Sequence, residues 1–421
     1  KEIASKGWLS KDSVIGNALV NMYVKCDELR KAHEVLEEIM ARDHVSWNTL
    51  INGFIQHGQD HKAMNCFEQM QNEGLSPNVV TFICILQACG NLGAIDKGKS
   101  IHSEIVNRDW LDKYIVLGNA LVDMYVKFGM LSKARDVLEE LPAQNIVSWN
   151  TLIGGYAKYG LCADAIKCLG HMQNEGISPN AVTFIGILKA CCNIGALHMG
   201  ENMHNEIAHM GLLQKDIVLG TTLVDMYAKC GALAKSQQVL EELPIRNEVS
   251  WSSLIAGYAQ QCRGYEALKC FERMRYEGYL VDAITFICIM KACGTIGAID
   301  EVNEIYNETV SRGLINMNII LGTTLVDMCA RSGLFTEAQY VLDVLPIRNE
   351  VSWSALIKGY THNGKDHEAL SCLEQMRAEG ISPNAITFIS ILKACGNTGA
   401  INEGIKIHDE IETRGDLLEK D

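Results

Sequence analysis

Eight small polar residues stand at the fifth position of recurrent segments in this chain: Asn17, Asn48, Asn119, Asn150, Thr221, Ser252, Thr323 and Ser354. Each segment ends on an amide or a carboxylate: Asp43, Asn78, Asn145, Asn180, Asn247, Asp282, Asn349 and Asn384. A hydroxyl both donates and accepts, an amide does so through two different atoms, and a carboxylate only accepts. Such a set is suited to reading hydrogen-bonding edges, not to breaking bonds. A plainer reading stands beside it. Ser, Thr and Asn favour first helical turns, and Asn and Asp are ordinary N-caps, although capping need not exclude contact with a ligand.

Two further series keep the same register. The second position is β-branched and apolar: Val14, Val45, Val116, Val147, Val218, Val249, Ile320 and Val351, with Val80, Val182, Ile284 and Ile386 in a third class of segment. In that third class the fifth position is Ile83, Ile185, Ile287 or Ile389. Positions two and five share a helix face, so the valines serve either as an apolar clamp beside a polar reader or as packing. Position thirteen carries Lys25, Lys127, Lys229 and Arg331, with Lys158 in one neighbouring segment. These cations are candidates for phosphate contact; a solvated helix end favoured by the dipole is the alternative.

Catalytic patterns are weak. A zinc deaminase needs H-x-E together with P-C-x-x-C. H-x-E occurs as His102–Glu104, His204–Glu206 and His408–Glu410, but no C-x-x-C exists. The stretch Gly93–Ser100, GAIDKGKS, fits a phosphate loop by letter, yet it falls inside a helical segment and not after a strand. No catalytic residue, metal site or cofactor is expected.

Composition agrees with a folded helical chain. Apolar residues make up 48% and charged residues 21%, with six prolines in 421 residues; disorder is excluded. No apolar run is long enough for a membrane span. The formal charge of −14 excludes a generic polycation that coats phosphate, but not a groove with a few placed cations. The sixteen cysteines, spread through apolar runs, read as buried free thiols in a reducing compartment.

What positions these residues is a repeat. Trp47, Trp149, Trp251 and Trp353 recur every 102 residues, as do Cys89, Cys191, Cys293 and Cys395. Each period holds three segments of 31, 35 and 36 residues, and each segment reads as a helical hairpin. In one of them Leu152, Ile153 and Tyr156 form the apolar stripe, Gly160 ends the first helix and Gly176 the second. One hairpin cannot bury both faces, whereas twelve stacked hairpins can. The expected architecture is all-α, an α-solenoid superhelix of helix-turn-helix repeats in one continuous array over 1–421.

The alternation of lengths resembles the P-L-S subclass of pentatricopeptide repeat proteins, seen in plant organellar RNA-editing specificity factors. S-type units resemble 13–43, 115–145, 217–247 and 319–349. P-type units resemble 44–78, 146–180, 248–282 and 350–384. L-type units resemble 79–114, 181–216, 283–318 and 385–421, and residues 1–12 look like the tail of a truncated L unit. The resemblance implies sequence-specific binding of single-stranded RNA at about one base per repeat, in the recognition part of a mitochondrial or chloroplast C-to-U editing factor. It further implies a deaminase-like domain downstream in cis or in trans, and an accessory protein bound through the L units. The chain opens at Lys1 without a leader-like segment, so any targeting peptide is expected outside it.

Hydrogen-bond chemistry agrees with the family's code. Uracil and guanine offer an imino N–H that suits Asp; cytosine and adenine offer a bare nitrogen that suits Asn. Asn17/Asp43 then reads U. Asn48/Asn78, Asn119/Asn145 and Asn150/Asn180 read C, with U tolerated. Thr221/Asn247, Thr323/Asn349 and Ser354/Asn384 read A, and Ser252/Asp282 reads G. The L units contribute little discrimination, so the expected ligand is U-C-n-C-C-n-A-G-n-A-A-n from 5′ to 3′. A tetratricopeptide-like protein-binding scaffold is the alternative; the polar fifth and last positions favour RNA.

Overall fold

An Asn or Asp followed three residues later by Ser or Thr sets most of the first-helix starts. Asn145 is one case: its Oδ1 accepts from the backbone N–H of Ser148 at 3.0 Å, while the Ser148 hydroxyl lies 3.1 Å from the Asn145 N–H. This reciprocal capping box satisfies two donors that a helix start leaves orphaned. At the far end of the L-type first helices a glycine takes over. Gly93, with φ of +69°, adopts the left-handed conformation that closes a helix at little cost.

The computed structural model describes residues 13–414; the expectation for residues 1–12 and the end of the last L unit lie outside them. The described residues form 24 α-helices and no strand, so the chain is an all-α solenoid of stacked hairpins. They fall into two compact bodies, one running to Leu212 and the other starting at Leu213.

The first body holds α1 (Ser13–Lys25), α2 (Leu29–Glu38), α3 (His44–Gln56), α4 (Asp60–Asn72), α5 (Val79–Leu92) and α6 (Ile95–Asn107). It continues with α7 (Ile115–Lys127), α8 (Leu131–Glu140), α9 (Ile146–Lys158), α10 (Cys162–Asn174), α11 (Ala181–Ile194) and α12 (Leu197–His209). The second body repeats the pattern. It comprises α13 (Ile217–Lys229), α14 (Leu233–Glu242), α15 (Glu248–Gln260), α16 (Gly264–Tyr276), α17 (Ala283–Ile296) and α18 (Ile299–Ser311). After a short 3₁₀ turn come α19 (Ile319–Arg331), α20 (Phe335–Val344), α21 (Glu350–His362), α22 (Asp366–Ala378), α23 (Ala385–Thr398) and α24 (Ile401–Arg414). In the 31-residue segments the second helix is only ten residues long, as in α8 and α20. Elsewhere it has thirteen or fourteen.

Within each body the first helices of successive hairpins lie against one another, and each also packs on its own second helix. Leu152, Ile153 and Tyr156 of α9 are buried together with Ala165, Leu169 and Met172 of α10. The periodic tryptophans sit in the same layer, and each is almost wholly buried. Trp47, Trp149 and Trp353 donate through Nε1 to Glu73, Glu175 and Glu379 at 3.0–3.2 Å. Trp251 differs because Glu277 instead meets both Arg246 and Arg273, and the Arg273 guanidinium lies over the indole. Glycine allows the closest helix approach, since a Cβ on Gly359 of α21 would lie 2.2 Å from the Ala330 Cβ of α19.

All sixteen cysteines are free thiols, most of them buried. Burial pushes the thiols of Cys66, Cys293 and Cys372 up to about 12, so they stay protonated and pack as small apolar groups. No described helix is long and apolar enough to cross a membrane.

Candidate nucleic-acid interface

The end of each S or P unit is the N-cap of the next first helix, which brings it beside the fifth residue of its own unit. The backbone N–H at the third helical position donates to Oδ1 of Asp43, Asn78, Asn145, Asn180, Asn247, Asp282, Asn349 and Asn384 at 2.8–3.1 Å. This bond orients each side chain. With Oδ1 turned to the helix, the second polar atom of the group faces away from it. In the six asparagines that atom is Nδ2, a donor, and it makes no bond to a described residue. In Asp282 it is Oδ2, an acceptor.

Five of the eight fifth residues meet these caps directly. Asn17 donates to Asp43 Oδ1 at 3.3 Å, Asn48 to Asn78 at 3.1 Å and Asn150 to Asn180 at 3.2 Å. Thr221 reaches Asn247 at 3.3 Å and Ser354 reaches Asn384 at 3.1 Å. Ser252 and Asp282 are joined through Thr285, whose hydroxyl lies 2.5 Å from Ser252 Oγ and 2.7 Å from Asp282 Oδ1. No bond links Asn119 to Asn145 or Thr323 to Asn349 among the described residues. The Oδ1 atoms of Asn17 and Asn119 are buried without a donor, an arrangement that costs free energy unless something else supplies one. At Asp43 burial pushes the carboxyl up. The Ser46 backbone N–H, the Ser46 hydroxyl and the Asn17 amide outweigh it and hold the group below the ordinary carboxylate range.

A third set of residues completes the constellation and was not singled out in the sequence. Thr81 and Thr183 donate to the Oδ1 of Asn48 and Asn150 at 2.8 and 2.7 Å, and Thr387 lies 2.6 Å from the Ser354 hydroxyl. The signal was available: the third position is Thr in L units, Ser in P units, and Leu in three of the four S units.

The second-position residues lie outside the core. Val14, Val45, Val116, Val147, Val218, Val249, Ile320 and Val351 are 52–72% exposed. Val351 and Ile386 flank a cleft of about 300 Å³ in the second body, with Ser354 and Asn384 in its wall and Lys291 and Lys358 also lining it.

Four copies of this arrangement coincide with matches to a known sequence family. The model of the PPR repeat family matches residues 42–91, 144–193, 246–295 and 348–415, and that of the single PPR repeat matches 17–44 and 119–146. The chain belongs to the pentatricopeptide repeat family. It is 32% identical over 401 residues to the chloroplastic pentatricopeptide repeat-containing protein At1g11290 of Arabidopsis thaliana, covering 95% of this chain and 49% of that protein. It is 30% identical over 403 residues to the mitochondrial protein At1g06140 of the same plant, covering 93% and 71%. The chain spans about half the length of the first relatives it matches. Among solved structures it resembles maize PPR10 with a TM-score of 0.66 at 19% identity, over 96% of this chain and 64% of that one. PPR10 in complex with an 18-nt psaJ RNA element gives 0.71 at 18% identity, over 95% and 60%.

The pentatricopeptide cations are only partly available. Lys127, Lys229 and Arg331 are ion-paired to Asp123, Asp225 and Asp327, four residues earlier on the same helices, at 2.8–3.0 Å. In the sequence only the cations stood out, and these aspartates were missed. Asn21 stands at that place in the first unit, and Lys25 is exposed. Lys158 lies over the Tyr159 ring at 5.7 Å.

Residues that raised the question of catalysis have structural settings. Gly93 is the helix cap described above, and α6 follows it directly. His102 is half-buried against the Tyr125 hydroxyl at 2.9 Å. His408, Asp409 and Glu412 bring ligand atoms within 4.8 Å of one another, all on the exposed surface of α24.

Proposed function

We propose that this chain is a sequence-specific single-stranded RNA recognition module, with one base read by each S or P unit and little discrimination by the L units. One observation carries the reading. The cap bond turns Oδ1 inward at every S and P unit and presents the second polar atom away from the helix, a donor from Asn and an acceptor from Asp. An Asn Nδ2 suits the bare ring nitrogen of cytosine or adenine, and the Asp43 and Asp282 carboxylates suit the imino N–H of uracil or guanine. The exposed second-position residues would hold the flat faces of each base, and Lys25, Lys127, Lys158, Lys229 and Arg331 would approach the phosphates. The RNA complex of PPR10 supports the ligand class.

The 31/35/36 alternation supports assignment to the P-L-S subclass, and with it a role as the recognition part of an organellar C-to-U editing factor. Chloroplastic and mitochondrial names among the relatives support an organellar location. On this reading the chemistry belongs to a deaminase-like domain in cis or in trans, and an accessory protein engages the L units.

Binding of a labelled U-C-n-C-C-n-A-G-n-A-A-n RNA, compared with a shuffled RNA of equal composition, tests the proposal. Preference for the ordered sequence supports it. Equal binding refutes the code, and retention on peptide but not on RNA would favour the scaffold alternative.

A further inference from the structure

The L units lack a polar fifth residue, yet three of the four carry a cation on the same face. Lys189, Lys291 and Lys393 occupy position nine of α11, α17 and α23, four residues after Ile185, Ile287 and Ile389. An i, i+4 spacing places each lysine one turn along from that isoleucine. All three lysines are exposed, and among the described residues no carboxylate lies within ion-pair distance of them. Three of the four S units are the reverse: position nine is Asp123, Asp225 or Asp327, and it engages the cation at position thirteen.

Placement supports a shared path with the readers. Lys291 lines the same cleft as Val351, Ser354, Asn384 and Ile386. In a chain of formal charge −14, the cations best able to attract a polyanion are those not already engaged by protein carboxylates. Phosphate binding holds register without reading sequence, which suits a unit whose fifth residue is apolar.

We infer that Lys189, Lys291 and Lys393 are the main phosphate-binding cations, so that the L units grip the RNA backbone while the S and P units read its bases. This rests on the RNA-binding proposal above and deepens it. The first period supplies an internal control, since Gln87 occupies position nine of α5.

The test combines K189Q/K291Q/K393Q with RNAs carrying neutral methylphosphonate linkages on both sides of nucleotide 3, or of nucleotides 6, 9 and 12. The triple variant should reduce the slope of log K against log salt by about 2, at roughly 0.7 for each phosphate left without its lysine on a single strand. Its preference for G over A at nucleotide 8 should be unchanged. Neutral linkages at 6, 9 and 12 should weaken the wild type and leave the variant nearly unmoved, and those at 3 should not distinguish the two proteins. An unchanged slope, or an equal loss in both proteins at 6, 9 and 12, overturns the inference. Failure of the base code would appear separately, as a wild type that binds ordered and shuffled RNA alike; the salt slope on either RNA would still decide the lysines.

Discussion

The Asn48 side chain donates to Asn78 Oδ1 at 3.1 Å across 30 residues of sequence, while that same oxygen caps the next helix through the Thr81 N–H. Fifth residue and cap are therefore one hydrogen-bonded unit. The donors converging on Oδ1 orient the Asn78 amide, and its Nδ2 bonds to no described residue.

Thr285 joins Ser252 to Asp282 and tests whether this linkage matters. Thr285→Val keeps the shape of the side chain and removes its hydroxyl. A buried hydrogen bond contributes about 0.5–1.5 kcal/mol, so the denaturation midpoint should fall modestly. Discrimination at nucleotide 8 should weaken while binding elsewhere along the RNA is kept. Unaltered discrimination would show that the bridge is structural only.

Acid should act on Asp43 in a defined direction. Its folded value lies below its unfolded value, so its contribution to stability is fully present above the ordinary Asp range near 4. That contribution is lost as pH falls through the folded value. Asp43→Asn should remove this part of the acid sensitivity, read as unfolding midpoints between pH 6 and pH 3. The wild-type preference for U at nucleotide 1 should stay constant from pH 8 to pH 5.

Two glycines should respond with opposite sign to the same substitution. A Cβ at Gly359 meets the Ala330 side chain and backbone, whereas a Cβ at Gly154 meets nothing within 4 Å. Gly359→Ala should destabilise by about 1–3 kcal/mol through overpacking. Gly154→Ala should stabilise by up to about 1 kcal/mol through helix propensity. Chemical denaturation of the two variants checks both.

Removing the aspartates that engage the S-unit cations should tighten RNA binding if those cations approach phosphate. D123N/D225N/D327N removes the carboxylates paired with Lys127, Lys229 and Arg331 and should steepen the salt slope by up to about 2. An unchanged slope would place the three cations off the RNA path.

The hairpins were legible because their punctuation is local. Asn145 three residues before Ser148, and a glycine after most first helices, declare the ends within a few residues. Sequence left the second-position valines undecided, because an apolar β-branched residue in a first helical turn fits either packing or exposure. Only the stacking of neighbouring first helices places Val147 outside the core. The Thr81 link to Asn48 spans 33 residues and depends on that same stacking, although the recurrence of Ser or Thr at position three hinted at it. The Asp123–Lys127 pair was local and readable, since i, i+4 opposite charges on a helix are neighbours.

Asp282→Asn tests the central claim most directly. The substitution preserves the cap, since Asn caps about as well as Asp, and turns the outward acceptor into a donor beside Ser252. Affinities of wild type and variant for RNAs with G or A at nucleotide 8 should show the preferred base moving from G to A. The change in discrimination should be about 1–3 kcal/mol, the scale of a good base contact. If the variant loses RNA without changing its preference, these residues are caps alone and do not read bases.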